Sequence, residues 1–183
     1  SQALAHYRSV GNRFNEARAL ANLGRFLVEE GRLDEATEYL QQSLEIRRRL
    51  DLPLLVSRTL SALADVDMER GNWQQALVQY ERTLELAREY ENPTLETAAA
   101  GDLSTVLRRL GRLDEARLTA ADAHRVATEL GSRSGQAYAL LQQGRAEHDF
   151  GHWQRAIDLF EQSREIYVEI EQPLHVELAR VAQ

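Results

Sequence analysis

A six-residue motif that returns every 40 residues constrains this chain more than any other feature of its sequence. The motif reads GRLDEA at Gly31–Ala36 and at Gly111–Ala116, and it takes the variant forms GNWQQA at Gly71–Ala76 and GHWQRA at Gly151–Ala156. A fixed period of this length is typical of repeat proteins, in which each module packs mainly against its neighbours. The unit of this protein is therefore a module of about 40 residues.

Each module predicts two helices that meet at this motif. Gly31 ends the first helix, since glycine readily takes the left-handed conformation that closes a helix C-terminus. Asp34 and Glu35 then fall in the first turn of the second helix, where negative charge interacts favourably with the helix dipole. Apolar or small residues recur in the first helix at the spacing of one helix face, and these are Ala17, Leu20, Leu23, Gly24 and Leu27. We interpret the motif as the hinge of a helix-turn-helix unit.

The same pattern predicts the bounds of the other helices. Pro53, Pro93 and Pro173 occupy equivalent positions that suit the first turn of a helix, and Asn92 is a good N-cap. The predicted helices are 13–30, 33–50, 53–70, 73–90, 93–110, 113–130, 134–150 and 153–170. We expect one solenoid domain over residues 1–183, made of half a preceding repeat (1–11), full repeats 12–51, 52–91, 92–131 and 132–171, and the start of a fifth (172–183). Because Ser1 already falls in a helical pattern, we expect the chain to be part of a longer protein.

Packing inside the modules follows from residue size. Small residues recur at the columns of Ala36 and Gly24, so the two helices of a pair can approach closely. The third module has alanine at Ala100 and Ala120, where other modules carry larger residues, and we predict that it is packed most loosely. The second helix of module one is expected to bury Leu33, Ala36, Leu40, Leu44, Ile46 and Leu50.

Two further sets of residues are assigned by helix periodicity. Trp73 and Trp153 share a column with two leucines, which favours a core position over a ligand cage. Arg47, Arg48 and Arg49 form a short basic run, which is interpreted as a solvated outer face.

Composition excludes several classes of function. The net charge of −7 argues against nucleic acid and anionic membranes as partners, because both require a basic surface. The chain has no cysteine and no lysine, so thiolate metal sites, cysteine nucleophiles and lysine chemistry are excluded. No long apolar run or export leader is present, and we expect a cytoplasmic protein. The absence of lysine and the richness in alanine, leucine and glutamate suggest a bacterial source.

The repeat resembles the tetratricopeptide repeat (TPR). The residues that carry the resemblance are Leu20, Leu23, Gly24, Leu27, Ala36 and Leu40, followed by Leu60, Leu63, Ala64, Ala76 and Tyr80. Its 40-residue variety is similar to the repeats of kinesin-light-chain-like and LGN-like adaptors and of bacterial regulators, and Gln143 and Glu147 depart from the apolar pattern. The resemblance implies an all-α fold, a right-handed superhelical solenoid of antiparallel helix pairs, whose first helices line a concave ligand-binding groove.

The predicted groove residues lie on the faces of the first helices that are not needed for packing. They are Arg18, Asn22, Arg25, Arg58, Asp65, Asp102, Arg108, Tyr138, Gln142 and Arg145. Five arginines against two acids make this surface basic within an acidic chain. Arginine suits carboxylates, and side-chain amides suit the backbone of an extended peptide. We therefore expect a non-enzymatic protein-interaction module, part of a bacterial regulatory or scaffold protein, that binds a peptide or protein segment carrying acidic side chains.

Other interpretations stay open at this stage. The groove arginines could instead pair with Asp65, Asp102, Glu29 and Glu69 and only hold the stack together. The module could sense a small molecule or signalling peptide for an effector domain, or it could be a spacer that self-associates through Leu174, Leu178 and Val181 of the truncated fifth module. The alternation of the hinges also suggests an 80-residue double repeat.

Chemical signatures beyond the groove are weak. His148 and His152 have a spacing that could hold zinc, but His152 follows the Gly151 turn, so no shared helix face and no metal or cofactor are expected. The carboxylate clamp of some TPR relatives is not expected either, because Ala21, Ala62, Ala98 and Asp102 occupy its columns. No nucleophile elbow, phosphate loop or paired-carboxylate signature is present, so no enzyme activity is expected.

Overall fold

The structure, a computed structural model, describes residues 2–172 and residue 179. Helices and the three-residue turns between them account for residues 2–172, and no strand occurs among the described residues. The helices are α1 (Gln2–Ser9), α2 (Arg13–Glu29), α3 (Leu33–Arg49), α4 (Pro53–Glu69), α5 (Trp73–Glu89), α6 (Pro93–Arg109), α7 (Leu113–Glu129), α8 (Arg133–Asp149) and α9 (Trp153–Glu169). The predicted all-α helical-repeat fold is confirmed, and the predicted helix starts and ends agree to within one residue.

Every turn between these helices has the same form. Gly31 has a φ of +72°, as the hinge prediction requires, and the turns between modules use the same left-handed conformation at Asp51, Glu91 and Gly131. Glycine adopts this conformation without a steric penalty, whereas other residues are strained in it. The cap prediction is also confirmed, because the Asn92 side-chain oxygen accepts a hydrogen bond from the Leu95 backbone N–H at 3.0 Å.

Two compact units make up the chain, Ser1–Leu86 (unit 1) and Ala87–Gln183 (unit 2). In unit 1, α3 packs against α2 and α4, and the two first helices α2 and α4 also contact each other. Its core contains Leu27, Leu40, Leu63 and Val66, which are at most 9% exposed. Burial of these apolar side chains is the main force that holds the helix pairs together.

Unit 2 repeats this arrangement with α6, α7, α8 and α9, and its first helices α6 and α8 also contact each other. The predicted small columns let helices approach closely. A Cβ atom on Gly144 would lie 2.4 Å from the ring of buried Phe160. Ala156, beside it in the small column of the second helix, is 2% exposed.

The beginning of the predicted fifth module is only partly described. Residue 179, an alanine, is buried against Leu141, Ala156 and Phe160. Leu174, Leu178 and Val181, on which the self-association prediction depends, lie outside the described residues.

A recurring hydrogen bond joins the helices of a pair. The hydroxyl of Ser43 donates to the Ala17 carbonyl at 2.8 Å, and Ser163 donates to Ala137 in the same way at 2.8 Å. Thr83 makes the equivalent bond to Ser57 in module two. The third module has Ala123 in this column, and Ser104 instead donates to Ala116 at 2.8 Å.

The alternation of the hinges has a structural counterpart one helix turn earlier. Modules one and three bury Leu27 and Leu107 there, whereas modules two and four carry Asp67 and Glu147. Each of these acids bonds to the hinge that follows it: Asn72 donates to Asp67 at 3.1 Å, and the His152 ring contacts Glu147 at 2.7 Å. The GN and GH hinges therefore accompany an acidic residue, and the GR hinges accompany a leucine.

Three packing predictions are wrong. Leu50 is 40% exposed because it follows the last residue of α3. Trp73 and Trp153 are 39% and 60% exposed, since each begins its helix and helical side chains point toward the N-terminus, over the hinge. Trp153 packs edge-on against His148 there.

The basic run is also assigned incorrectly at one of its three positions. Arg47 is 6% exposed, whereas Arg48 and Arg49 lie on the surface. Arg47 follows Leu44 by three residues and Leu40 by seven, so it continues the buried stripe of α3.

Candidate functional site

The predicted site residues lie on the first helices of the two units. The groove surface of unit 1 comprises Arg18, Asn22 and Arg25 on α2 with Arg58 and Asp65 on α4. The groove surface of unit 2 comprises Asp102 and Arg108 on α6 with Tyr138, Gln142 and Arg145 on α8. In each unit the two helices contact each other, so each set forms a surface on adjacent helices.

The groove surface of unit 1 is open and basic. Arg18, Asn22, Arg25 and Arg58 are exposed, and among the described residues none of these three arginines has a hydrogen bond or ion pair. Asp65 accepts a hydrogen bond from the Tyr80 hydroxyl at 2.6 Å. Burial of the Asp65 carboxyl raises its pKa, although the Tyr80 hydrogen bond and the charge of Arg25 oppose that shift.

The groove surface of unit 2 is cross-linked by polar contacts between its helices. The Tyr138 hydroxyl donates to Asp102 at 2.7 Å, and the Thr105 hydroxyl donates to Gln142 at 3.0 Å. Gln142 is only 2% exposed, so the prediction that its amide is free for a peptide backbone is wrong. The contact between α6 and α8 covers this side chain, which acts as a buried link between the two helices.

Arg108 and Arg145 differ sharply in their pairing. The Arg108 Nε group donates to Asp149 at 2.8 Å, so this guanidinium group has a counter-ion on α8. Arg145 is half-buried and has no hydrogen bond or ion pair with any described residue. Burial lowers the pKa of Arg145, and the positive charge of Arg108 lowers it further. A half-buried guanidinium without a counter-ion can accept an anion with little competition from protein groups.

The alternative interpretation was that the groove arginines pair with neighbouring acids and only hold the stack together. Among the described residues, this pairing occurs for Arg108 alone. Arg108 is paired, but its partner Asp149 was not among the acids expected for that role. The positive charge of Arg25 lowers the pKa of Asp65, but the two side chains form no ion pair. The groove residues as a binding set stay a prediction.

Arg47 was predicted to lie on a solvated outer face, but it is buried against α4, next to the groove surface of unit 1. Its Nη1 group donates to the Leu55 carbonyl at 2.9 Å and to the Thr59 hydroxyl at 2.7 Å. Burial lowers the pKa of Arg47, and the positive charge of Arg58 lowers it further. The spacing of Arg47 from Leu40 and Leu44 would have predicted its burial.

The two histidines bond to different acids. His148 contacts Asp149 at 3.3 Å, whereas His152 contacts Glu147. Within the described part of the chain, no group of three or more potential metal-ligating side chains comes together.

The chain is a repeat of helix pairs whose first helices present a polar surface. The tetratricopeptide repeat model matches residues 1–49, 55–129 and 97–168, and the chain therefore belongs to the tetratricopeptide repeat family. Members of this family are typically interaction modules without catalytic activity, and this one is a protein–protein interaction module.

Solved structures share the fold at low sequence identity. Repeats of a putative kinesin light chain from Podospora anserina match with a TM-score of 0.69 and 20% identity, over 86% of this chain and 77% of that chain. A Rap protein complexed with competence and sporulation factor matches with a TM-score of 0.75 and 14% identity, over 86% of this chain and 43% of that chain.

A third neighbour is a signal-transduction ATPase with a tetratricopeptide repeat sensor from Pyrococcus horikoshii. It matches with a TM-score of 0.79 and 15% identity, over 93% of this chain and 26% of that chain. The chain thus spans less than half of this protein and of the Rap protein. No curated protein matches the chain, and no helix in the described part is long and apolar enough to cross a membrane.

Proposed function

We propose that the chain binds a peptide or protein segment with acidic side chains on its groove surfaces, within a bacterial regulatory or scaffold protein. Arg145 carries this proposal, because it is half-buried and has no counter-ion among the described residues. A charge in such a position interacts with an anion more strongly than a fully solvated charge does. Arg18, Arg25 and Arg58 offer further guanidinium groups to an acidic ligand.

Acidic peptides suit this surface better than nucleic acid. The groove arginines form local clusters, while the whole chain carries a net charge of −7 that repels a polyanion at longer range. A short segment with a few carboxylates meets the local positive charge without covering the acidic remainder. Planar guanidinium groups also match carboxylates by paired hydrogen bonds.

The test compares two groove variants with one surface variant. The probe is an acetylated, amidated octapeptide of alternating glycine and glutamate, and its glutamine counterpart controls for charge. R25A and R145A should each weaken glutamate-peptide binding by about tenfold, the loss expected for a charge-assisted hydrogen bond. R48A removes an exposed arginine from α3 and should leave the affinity nearly unchanged.

Thermal unfolding separates binding from support of the fold. R25A and R145A should shift the Tm by about 2 °C or less, since neither arginine has a hydrogen bond or ion pair with a described residue to lose. A large fall in Tm with unchanged peptide affinity would instead assign these arginines to the stack, and binding of neither peptide to the wild-type chain would contradict the proposal.

A sensor role is the second candidate, and two neighbours favour it. One is a Rap protein in complex with competence and sporulation factor, and the other contains a tetratricopeptide repeat sensor. In that case the ligand controls an effector domain of a longer protein. A full-length protein whose effector output does not respond to any bound ligand would contradict this role.

A further inference from the structure

Arg47 is a buried cation without a counter-ion among the described residues. It is 6% exposed, and its two hydrogen-bond partners, the Leu55 carbonyl and the Thr59 hydroxyl, are neutral. Its Nε atom is buried and has no hydrogen-bond partner. Buried charges in proteins are normally paired, because transfer of an ion out of water is costly.

The charged residue next to the hydrogen-bond partner of Arg47 is Arg58, which is also positive and cannot neutralise Arg47. Thr59, which accepts the Arg47 hydrogen bond, follows Arg58 in α4. Arg58 is exposed on the groove surface of unit 1 and has no ion pair with a described residue. Burial is the main cause of the lowered pKa of Arg47, and the positive charge of Arg58 lowers it further. Arg47 therefore bonds to the residue that follows Arg58, and among the described residues neither guanidinium group has a counter-ion.

Architecture alone does not account for an arginine at this position. The equivalent positions in the other three modules are Ala87, Ala127 and Tyr167, all buried and none of them a cation, so the repeat does not need a positive charge there. The acceptors do not need Arg47 either, because the Thr59 hydroxyl itself donates to the Leu55 carbonyl at 2.9 Å.

We propose that Arg58 and Arg47 form a carboxylate-selective subsite on the groove surface of unit 1. Exposed Arg58 contacts an acidic side chain of the bound peptide, and Arg47 acts as a positioning residue that supplies weakly screened positive charge beside it. Solvent screens a buried charge less than an exposed one, so Arg47 favours an anion at Arg58 more than its small accessible surface suggests. This subsite rests on the proposed function, because it requires a peptide on the groove surface.

The experiment measures charge selectivity in the 183-residue chain. Affinities for the alternating glycine–glutamate octapeptide and its glutamine counterpart are determined by NMR titration in wild type, R47A, R47K and R48A. The arginine Nε–Hε signals, assigned through these variants and R58A, report which guanidinium groups respond. R48A is the matched control, because it removes the same charge from the neighbouring, exposed position.

The expected result is a loss of selectivity without a loss of fold. R47A should weaken glutamate-peptide binding on the order of tenfold and leave glutamine-peptide binding unchanged, as expected when one weakly screened charge is removed. R47K should retain most of the selectivity, because lysine keeps the charge. The Tm of R47A should stay constant or rise, since the variant removes an uncompensated buried charge.

Three other results would overturn the subsite. If the glutamate peptide binds and shifts Arg145 while R47A behaves like R48A, the peptide function stands and the Arg47 role fails. If R47A lowers the Tm by several degrees and R47K loses selectivity as completely as R47A, Arg47 is a structural tie. If neither peptide binds the wild-type chain, the proposed function and the subsite fail together.

Discussion

Glu147 offers a direct test of how the alternating modules are stabilised. Its side chain is 1% exposed, and its two oxygens contact the His152 ring at 2.7 Å and the Arg155 Nε atom at 3.2 Å. The partners themselves are 54% and 64% exposed. Modules one and three place Leu27 and Leu107 at the equivalent position, each 3% exposed. We therefore predict that E147L folds normally and is more stable than the wild type.

The expected change in stability follows from the side chain that each protein buries at position 147. Burying a leucine side chain contributes about 1.5–3 kcal/mol. Loss of the His152 contact and of the Arg155 ion pair costs little, because both partners return to solvent, and exchange of a buried ion pair for a well-packed apolar residue is often neutral or stabilising by about 1–4 kcal/mol. We expect a gain of about 1–3 kcal/mol, which corresponds to roughly 2–12 °C in Tm for a chain of this size.

The assay is reversible unfolding in urea and by heat, followed by far-ultraviolet circular dichroism. Because repeat proteins can depart from two-state behaviour, hydrogen exchange of α8 and α9 should report the local change as well. E147A is the control for packing, and it should be about 2–5 kcal/mol less stable than E147L, the range for leucine-to-alanine substitutions in cores. A loss of about 1 kcal/mol or more in E147L would refute the reasoning, because the polar contacts of Glu147 would then contribute more than its desolvation costs.

Three further predictions concern other parts of the chain. D65N should raise the Tm at neutral pH, because burial raises the pKa of Asp65 and penalises its charged form; the advantage over wild type should vanish as the pH falls to the ordinary aspartate range, and an advantage that persists there would contradict the assignment. Burial raises the pKa of Tyr167 to about 12, so its phenolate absorbance should appear only near that pH, and stability should decline as the pH approaches it. Hydrogen exchange should be fastest in α6 and α7, where Ala100 and Ala120 occupy buried positions that carry larger residues in the other modules; equal protection of all modules would count against looser packing there.

Helix bounds were predictable because they depend on local chemistry that repeats. A residue such as Gly31 or Asn92 determines the end or the start of a helix through its own backbone conformation or side chain. The small columns were predictable for the same reason, since residue size limits how closely two helices approach. The position of Trp73 was predicted incorrectly because the first residue of the helix was treated like an interior residue. A side chain at the first position covers the preceding turn and not the core.

The candidate site was less predictable, because charge pairing depends on which side chains meet across helices. The sequence places Arg108 and Arg145 in similar groove positions, yet the structure pairs the first with Asp149 and leaves the second without a partner among the described residues. Gln142 was expected to face a peptide, but the contact between α6 and α8 buries it. Periodicity assigns a face to each residue, and it does not tell whether a neighbouring helix covers that face.

Arg47 shows how the repeat itself can separate a structural role from a functional one. In an ordinary domain, a buried arginine with two hydrogen bonds is readily explained as a support of the fold. Here the same column contains Ala87, Ala127 and Tyr167, all buried and none of them a cation, so the protein provides its own comparison for what the architecture needs. A buried charge without a counter-ion among the described residues costs stability, and the equivalent positions of the other modules carry no such charge. Such a cost is expected where a ligand supplies the missing counter-ion, and this is why the comparison of R47A with R48A tests function more directly than any substitution in the shared core.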